Sequence, residues 1–302
     1  MSLSAFLLSL SCITAKASAH TWVEQLNRIS PNGTLLDPPG FPPKWFGRGE
    51  GFRDDLFTNL LSSNNYSLCV KQPLGEQMEG FPLLEAASGD LIALRYQENG
   101  HVTLPDTNKP LNRGTIFVYG TSSPRATDTL FDVYKKWTAD GKGGDGRGKL
   151  LATRNYDDGQ CYQVNNGQIS AERQRQFHKI AATPQGADLW CQADVRLPED
   201  LIEGSLYSVY FIWTWPTLTP DAARASVTGR YGDFPPDGSP SQAQYLTAEE
   251  VVKSEIYSSC ATVRISDSLT SSSEQAAFIT DQDVNRISIK QQLENPFLVA
   301  GN

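Results

Sequence analysis

The chain has 302 residues, 34 acidic and 26 basic side chains, and a formal charge of −8. A surface this acidic repels phosphate, which argues against nucleic acid as a partner. The length allows one large domain or two small ones with a sizeable core, and no stretch is apolar enough to be a membrane helix.

The first element is a secretion leader, residues 1–19. An apolar run, Ala5–Leu10, precedes Ala17-Ser18-Ala19, the small-residue pattern that signal peptidase cuts. The segment is too short and too interrupted to span a bilayer, so the expected location is extracellular. Cleavage after Ala19 removes Cys12 and Lys16, leaves about 283 residues of charge −9, and makes His20 the first residue. A terminal histidine offers an α-amine and an imidazole nitrogen to one metal ion. The amine ordinarily titrates near pH 8, roughly, so a metal can displace its proton near neutrality. A mature chain must begin with some residue, so His20 alone does not make a site.

Thr21 to Ile29 reads as a first strand. Residues 31–53, rich in Pro, Gly and aromatics, read as an irregular loop. The Ser88-Gly89-Asp90 turn leads into a strand over Leu91–Tyr96, and a second strand follows over Gly114–Gly120. Residues 138–149 are a Gly-rich loop, and Ser170 to Ala181 is a short polar helix capped by Ser170. Asp194–Pro198 reads as an edge strand. Leu206–Trp215, dense in aromatic and β-branched residues, is the strongest strand. Ile256–Ile265 is the last. Residues 266–302, rich in Ser and Gln, read as a flexible tail. Short strands without a β-helix-β rhythm predict an all-β fold. We expect an antiparallel β-sandwich over residues 20–265, with long loops and a short helical insertion.

Four cysteines remain after cleavage: Cys69, Cys161, Cys191 and Cys260. In an oxidising compartment they form two disulfides in one of three pairings. No C-x-x-C pair is present, which disfavours a four-thiolate zinc site. Asn32-Gly33-Thr34 and Asn65-Tyr66-Ser67 are glycosylation sequons.

The chain has three histidines. His101 follows Gly100 just past a strand, where loops held by rigid strands carry functional groups; taken alone, it is equally a surface or core residue. His178 lies among Arg173, Arg175 and Lys179, whose charges disfavour a metal. Glu255 and Tyr257 share one face of the last strand, as an interior polar pair or an exposed rim. Gly143–Leu150 approaches a phosphate-binding loop, but Leu150 replaces the hydroxyl that would hold Mg²⁺. No G-x-S-x-G elbow is present. Asp157-Asp158 reads as part of a turn rather than as a glycosidase pair.

A histidine following a leader, a second after Gly100, and Tyr257 three residues before Cys260 together resemble the copper-dependent lytic polysaccharide monooxygenases. Arg95–His101 and Trp213-Thr214-Trp215-Pro216 are similar to a poorly characterised fungal secreted branch of them. The resemblance spans most of residues 20–265 and implies an immunoglobulin- or fibronectin-like sandwich. It implies one copper ion in a histidine brace, held by the amine and imidazole of His20 and by His101, with Tyr257 as axial ligand. Glu255 falls where that family hydrogen-bonds the oxygen species, so Glu255 and Tyr257 are the implied catalytic residues. Three nitrogens in a T suit Cu(II), which favours tetragonal geometry. The implied activity is oxidation of polysaccharide C–H bonds by a monomer, with an external electron donor and O2 or H2O2 as co-substrate. The polysaccharide would come from a fungal or plant cell wall. Trp22, Trp45 and Phe46 are either sugar-stacking residues or core anchors. Two other readings stay open: a non-catalytic copper-binding or transport protein with the same brace, and a structural cell-wall sandwich in which the two histidines never meet.

Overall fold

The computed structural model describes residues 20–31, 33–179, 186–225, 248–266, 288–290 and 292. The expected leader, the sequon residue Asn32 and most of the tail lie outside the described residues. In chain order the strands are β1 (Gln25–Ile29), β2 (Leu35–Gly40), β3 (Asn59–Leu61), β4 (Leu84–Ala86), β5 (Leu91–Tyr96) and β6 (Thr115–Thr121). There follow β7 (Gly148–Asn155), β8 (Cys191–Arg196), β9 (Leu206–Thr214), β10 (Thr217–Leu218), β11 (Val251–Lys253) and β12 (Ile256–Ile265). The short helices are α1 (Leu130–Val133), α2 (Gln168–Gln176) and α3 (Pro220–Ala225).

Two sheets face each other. The first has the order β2-β1-β5-β8, and the second β3-β12-β9-β6-β7; neighbours in both are antiparallel. β4 adds to β12 in parallel, and β10 and β11 form a small separate ribbon. The period-two alternation of the strands builds the core. Ile92, Leu94 and Tyr96 of β5 and Ala193 and Val195 of β8 meet Ile116 and Val118 of β6, Val209 and Phe211 of β9 and Val263 of β12 in one buried cluster. This is the β-sandwich expected from the sequence.

The second sheet is apolar on its outer face as well. Phe117, Tyr119, Tyr210 and Ile212 are covered by Leu130 and Val133 of α1 and by Trp137. The Gly-rich segment after Trp137 is therefore a cover: Trp137 Nε1 donates to Asp145 Oδ1 at 3.0 Å, and Arg147 pairs with Asp128 at 2.6 Å. A disulfide, Cys69–Cys260, ties the 62–74 segment to that face, and Cys161–Cys191 ties the segment after β7 to β8.

Three local expectations need correction. The 31–53 loop contains β2, whose Pro38 and Pro39 lack N–H donors and so suit an edge strand. The Gly-rich loop gives way to β7 at Gly148. The polar helix starts at Gln168 with Gly167 at its N-cap. Ser170 lies inside it, and its hydroxyl donates to Gln163 O at 2.7 Å.

The described tail residues also depart from a flexible extension. Ser288, Ile289 and Gln292 are buried. Ile289 packs with Ile29, Leu35 and Ala93 on the outer face of the first sheet. Gln292 Oε1 accepts from Asp194 N at 2.8 Å, and Gln160 Oε1 accepts from Ser288 N at 3.0 Å. A polar layer lies under them, in which Arg95 donates to Gln25 Oε1 at 3.0 Å and Gln192 Nε2 to Asp194 Oδ1 at 2.9 Å.

Candidate metal centre

His101 owes its position to an Asn-Gly turn. Asn99 and Gly100 have φ of 48° and 80°, and His101 N donates to Glu98 O at 2.9 Å. Two consecutive positive φ values closed by that bond make a type I′ turn, for which Asn-Gly is the favoured pair. The buried Glu98 carboxylate fastens the turn by accepting from Val102 N at 2.7 Å, from Gln163 N at 3.0 Å and from the Thr103 hydroxyl. Asn99 Nδ2 also donates to His20 O at 2.8 Å, so one turn holds both histidines.

The backbone nitrogen of His20 lies 3.3 Å from His101 Nε2 and donates to it. The two rings are 6.4 Å apart. His20 Nδ1 is buried and has no hydrogen-bond partner. His20 Nε2 is 3.0 Å from Asp54 Oδ2, with both side chains about a third exposed (27% and 35%), so this corner is open to solvent.

The His101 ring is enclosed by Trp215 at 4.5 Å, Trp213 at 5.3 Å and Tyr156 at 6.2 Å. Burial, then the nearby charges of His20 and Lys109, push its pKa down to about 3. The imidazole is therefore neutral at physiological pH and keeps a lone pair for a ligand.

Glu255 and Tyr257 sit together in a different setting. Tyr257 is buried, its ring 5.1 Å from Trp213, which in turn meets His101. Its hydroxyl donates to Glu255 Oε1 at 3.4 Å. Burial and the charge of Glu255 push that phenol well above the usual tyrosine range. The Glu255 carboxylate is paired with the buried Lys109 and with Lys253 at 3.1 Å. Burial opposes its ionisation, but the two lysines outweigh it and hold the carboxyl below the usual range. Lys109 Nζ lies 3.7 Å over the Trp215 ring and donates to Trp215 O at 3.1 Å. The pair is thus interior, not an exposed rim.

Trp22 and Trp45 are 1% and 4% exposed and pack with Phe57 in an aromatic cluster, with Phe46 partly buried against it. They anchor the loop rather than offer faces to a sugar. Asp157 pairs with Arg173 of α2 at 2.8 Å, and Asp158 accepts from Gln160 N and Cys161 N as a turn does. Asp158, Cys161 and Cys191 gather closely, but both cysteines are consumed by their disulfide. His178 is exposed.

Sequence reasoning missed Asp54, Lys109 and the aromatic walls of His101. Asp54 lies far from His20 along the chain, within an ordinary acidic pair. The Asn-Gly dipeptide was the readable signal for the turn.

The donor set suits a metal that prefers nitrogen. Two nitrogens that each bind one ion at about 2 Å lie no more than about 4 Å apart. The 3.3 Å between His20 N and His101 Nε2 falls within that limit, and Nδ1 of the same His20 is left without a partner.

A family model described as "Domain of unknown function (DUF7492)" matches residues 17–231, and the chain belongs to that family. No curated protein matches the chain. Among solved structures it is similar to CvAA9A, at 13% identity over 87% of this chain and 85% of that one, with a TM-score of 0.33. It is also similar to a cellulose-active polysaccharide monooxygenase from M. thermophila, at 14% identity over 82% of this chain and 78% of that one, with a TM-score of 0.30. Superpositions this loose assign no residue of this chain a role.

Proposed function

We propose that this is a secreted copper protein, cut after Ala19, that oxidises C–H bonds of a polysaccharide. The observation that carries the reading is the approach of His20 N to His101 Nε2 at 3.3 Å beside the buried, unpartnered His20 Nδ1. Cleavage would turn His20 N into a primary amine, and His20 and His101 would then hold copper through three nitrogens. When bound, copper supplies one-electron redox chemistry toward O2 or H2O2, with electrons from an external donor. The chain's own residues do the rest. The aromatic walls keep His101 neutral and fixed. In this reading Tyr257 would offer its phenol to the metal, and Glu255, held ionised by Lys109 and Lys253, would be the carboxylate that handles protons.

The test is electron paramagnetic resonance on secreted, N-terminally sequenced protein carrying one Cu(II). The expected result is an axial signal with hyperfine structure from about three nitrogens, lost in His101→Ala. A signal without nitrogen structure, or a mature N-terminus other than His20, would overturn the reading.

A second reading, copper capture without catalysis, is favoured by the burial of Trp22 and Trp45, which removes two candidate sugar-binding faces. It predicts tight copper binding with neither peroxide formation nor oxidised sugars.

A further inference from the structure

We infer that Asp54 is a positioning residue that selects the His20 tautomer and so readies Nδ1 for the metal; this rests on the copper reading above. A neutral imidazole donates from one nitrogen and accepts at the other. With Nε2 facing the Asp54 carboxylate at 3.0 Å, the proton belongs on Nε2, and Nδ1 keeps its lone pair. That is the nitrogen left buried and unpartnered. A carboxylate behind a ligand histidine fixes ring orientation and raises ligand basicity.

Asp54 is itself held rigidly. It opens a 3-10 turn, Asp54–Leu56, and its carbonyl accepts from Phe57 N at 3.1 Å, from Thr58 N at 2.9 Å and from the Thr58 hydroxyl at 2.8 Å. Phe57 is buried, with its ring 5.0 Å from Trp45 and 6.0 Å from Trp22. Trp22 stands two residues after His20, so one aromatic cluster braces both members of the pair. Arg48 is taken by the buried Glu24 at 2.7 Å and lies over Phe52, so its charge is already engaged. The adjacent Asp55 is exposed and pairs with Arg53 at 3.1 Å, which makes it a control of equal charge.

The experiment compares wild type, D54N, D54E and D55N in the processed protein, each first checked for an unchanged circular dichroism spectrum. Long-range ¹H–¹⁵N correlation on copper-free protein at mildly alkaline pH reads the His20 tautomer. It should show a single Nε2–H form in wild type and D55N, a mixture in D54N, and partial recovery in D54E. Copper competition should show about 10- to 100-fold weaker binding in D54N. Pulsed electron paramagnetic resonance should show altered coupling to the remote nitrogen of His20. An unchanged tautomer and unchanged affinity in D54N, with the three-nitrogen signal intact, would overturn the role of Asp54 alone. A wild-type protein without nitrogen coupling would overturn the copper reading. A His20 tautomer fixed by Asp54 in that same protein would show which of the two had failed.

Discussion

Two polar clusters flank the same aromatic wall, and they are built on opposite rules. Around Glu255 every charge is matched: the carboxylate meets Lys109, Lys253 and the Tyr257 hydroxyl, and Lys109 also caps Trp215 O. Around His20 the pairing stops one atom short. Asp54 takes Nε2 and His101 takes the backbone nitrogen, while Nδ1 is buried with nothing to bond. A buried polar atom without a partner costs free energy unless a ligand completes it. On the proposed copper reading, the first cluster contributes to folding and the second to binding. Changes in the two should separate stability from copper affinity.

The largest effect should come from His101→Ala. It removes a nitrogen held by the aromatic wall, and competition titration should show loss of tight copper binding in a protein that still folds, with some fall in melting temperature from the cavity left among Trp213, Trp215 and Tyr156. Equal copper affinity in the variant would erase the distinction between the clusters. The counterpart is Glu255→Ala. It strands the buried Lys109 cation, and breaking a buried pair from one side costs about 3–5 kcal/mol. Chemical denaturation should show that loss even in copper-free protein; a loss below about 1 kcal/mol would mean that the pair is effectively solvated.

This contrast also explains what could be read from the chain. The inner strands were legible because Leu91–Tyr96 and Leu206–Trp215 are short runs dense in apolar, aromatic and β-branched residues, the composition of a strand buried on both faces. The outer cover was not: Trp137 and Ile289 pack on faces assembled from strands distant in sequence. His101 was legible as a residue, because it follows Gly100 just past a strand. Its walls were not, because Tyr156, Trp213 and Trp215 come together only where the ends of β7 and β9 meet across β6. Asp54 carried no sequence signal, since nothing local distinguishes it from Asp55. The cysteine count gave the number of disulfides, and only the fold chose Cys69–Cys260 and Cys161–Cys191.

A third charged region, beneath the described tail residues, sharpens the comparison through pH. Burial raises the Asp194 pKa to about 7, against the opposing pull of Arg154, Gln192 and Arg95. The folded state therefore binds a proton more tightly than the unfolded chain does. That contribution to stability is complete below the ordinary carboxyl value and is lost as pH rises through about 7. In denaturation midpoints taken between about pH 4 and 7, the advantage of wild type over Asp194→Asn should shrink with rising pH. A difference that stays flat across this range would mean that the carboxylate is fully neutralised by its arginines.

The smallest effect is expected from Tyr257→Phe, and it decides where the boundary between the clusters runs. The hydroxyl makes one long bond to Glu255, at 3.4 Å, so its loss should cost about 1 kcal/mol or less. The ring, which carries the contact with Trp213, is retained. If the phenol also serves the metal as axial ligand, the copper spectrum must shift although stability hardly changes. A shift would join Tyr257 to the nitrogen cluster across Trp213. An unchanged spectrum would leave the phenol wholly in the ionic pocket, with His20 and His101 as the metal-facing pair and Asp54 behind His20.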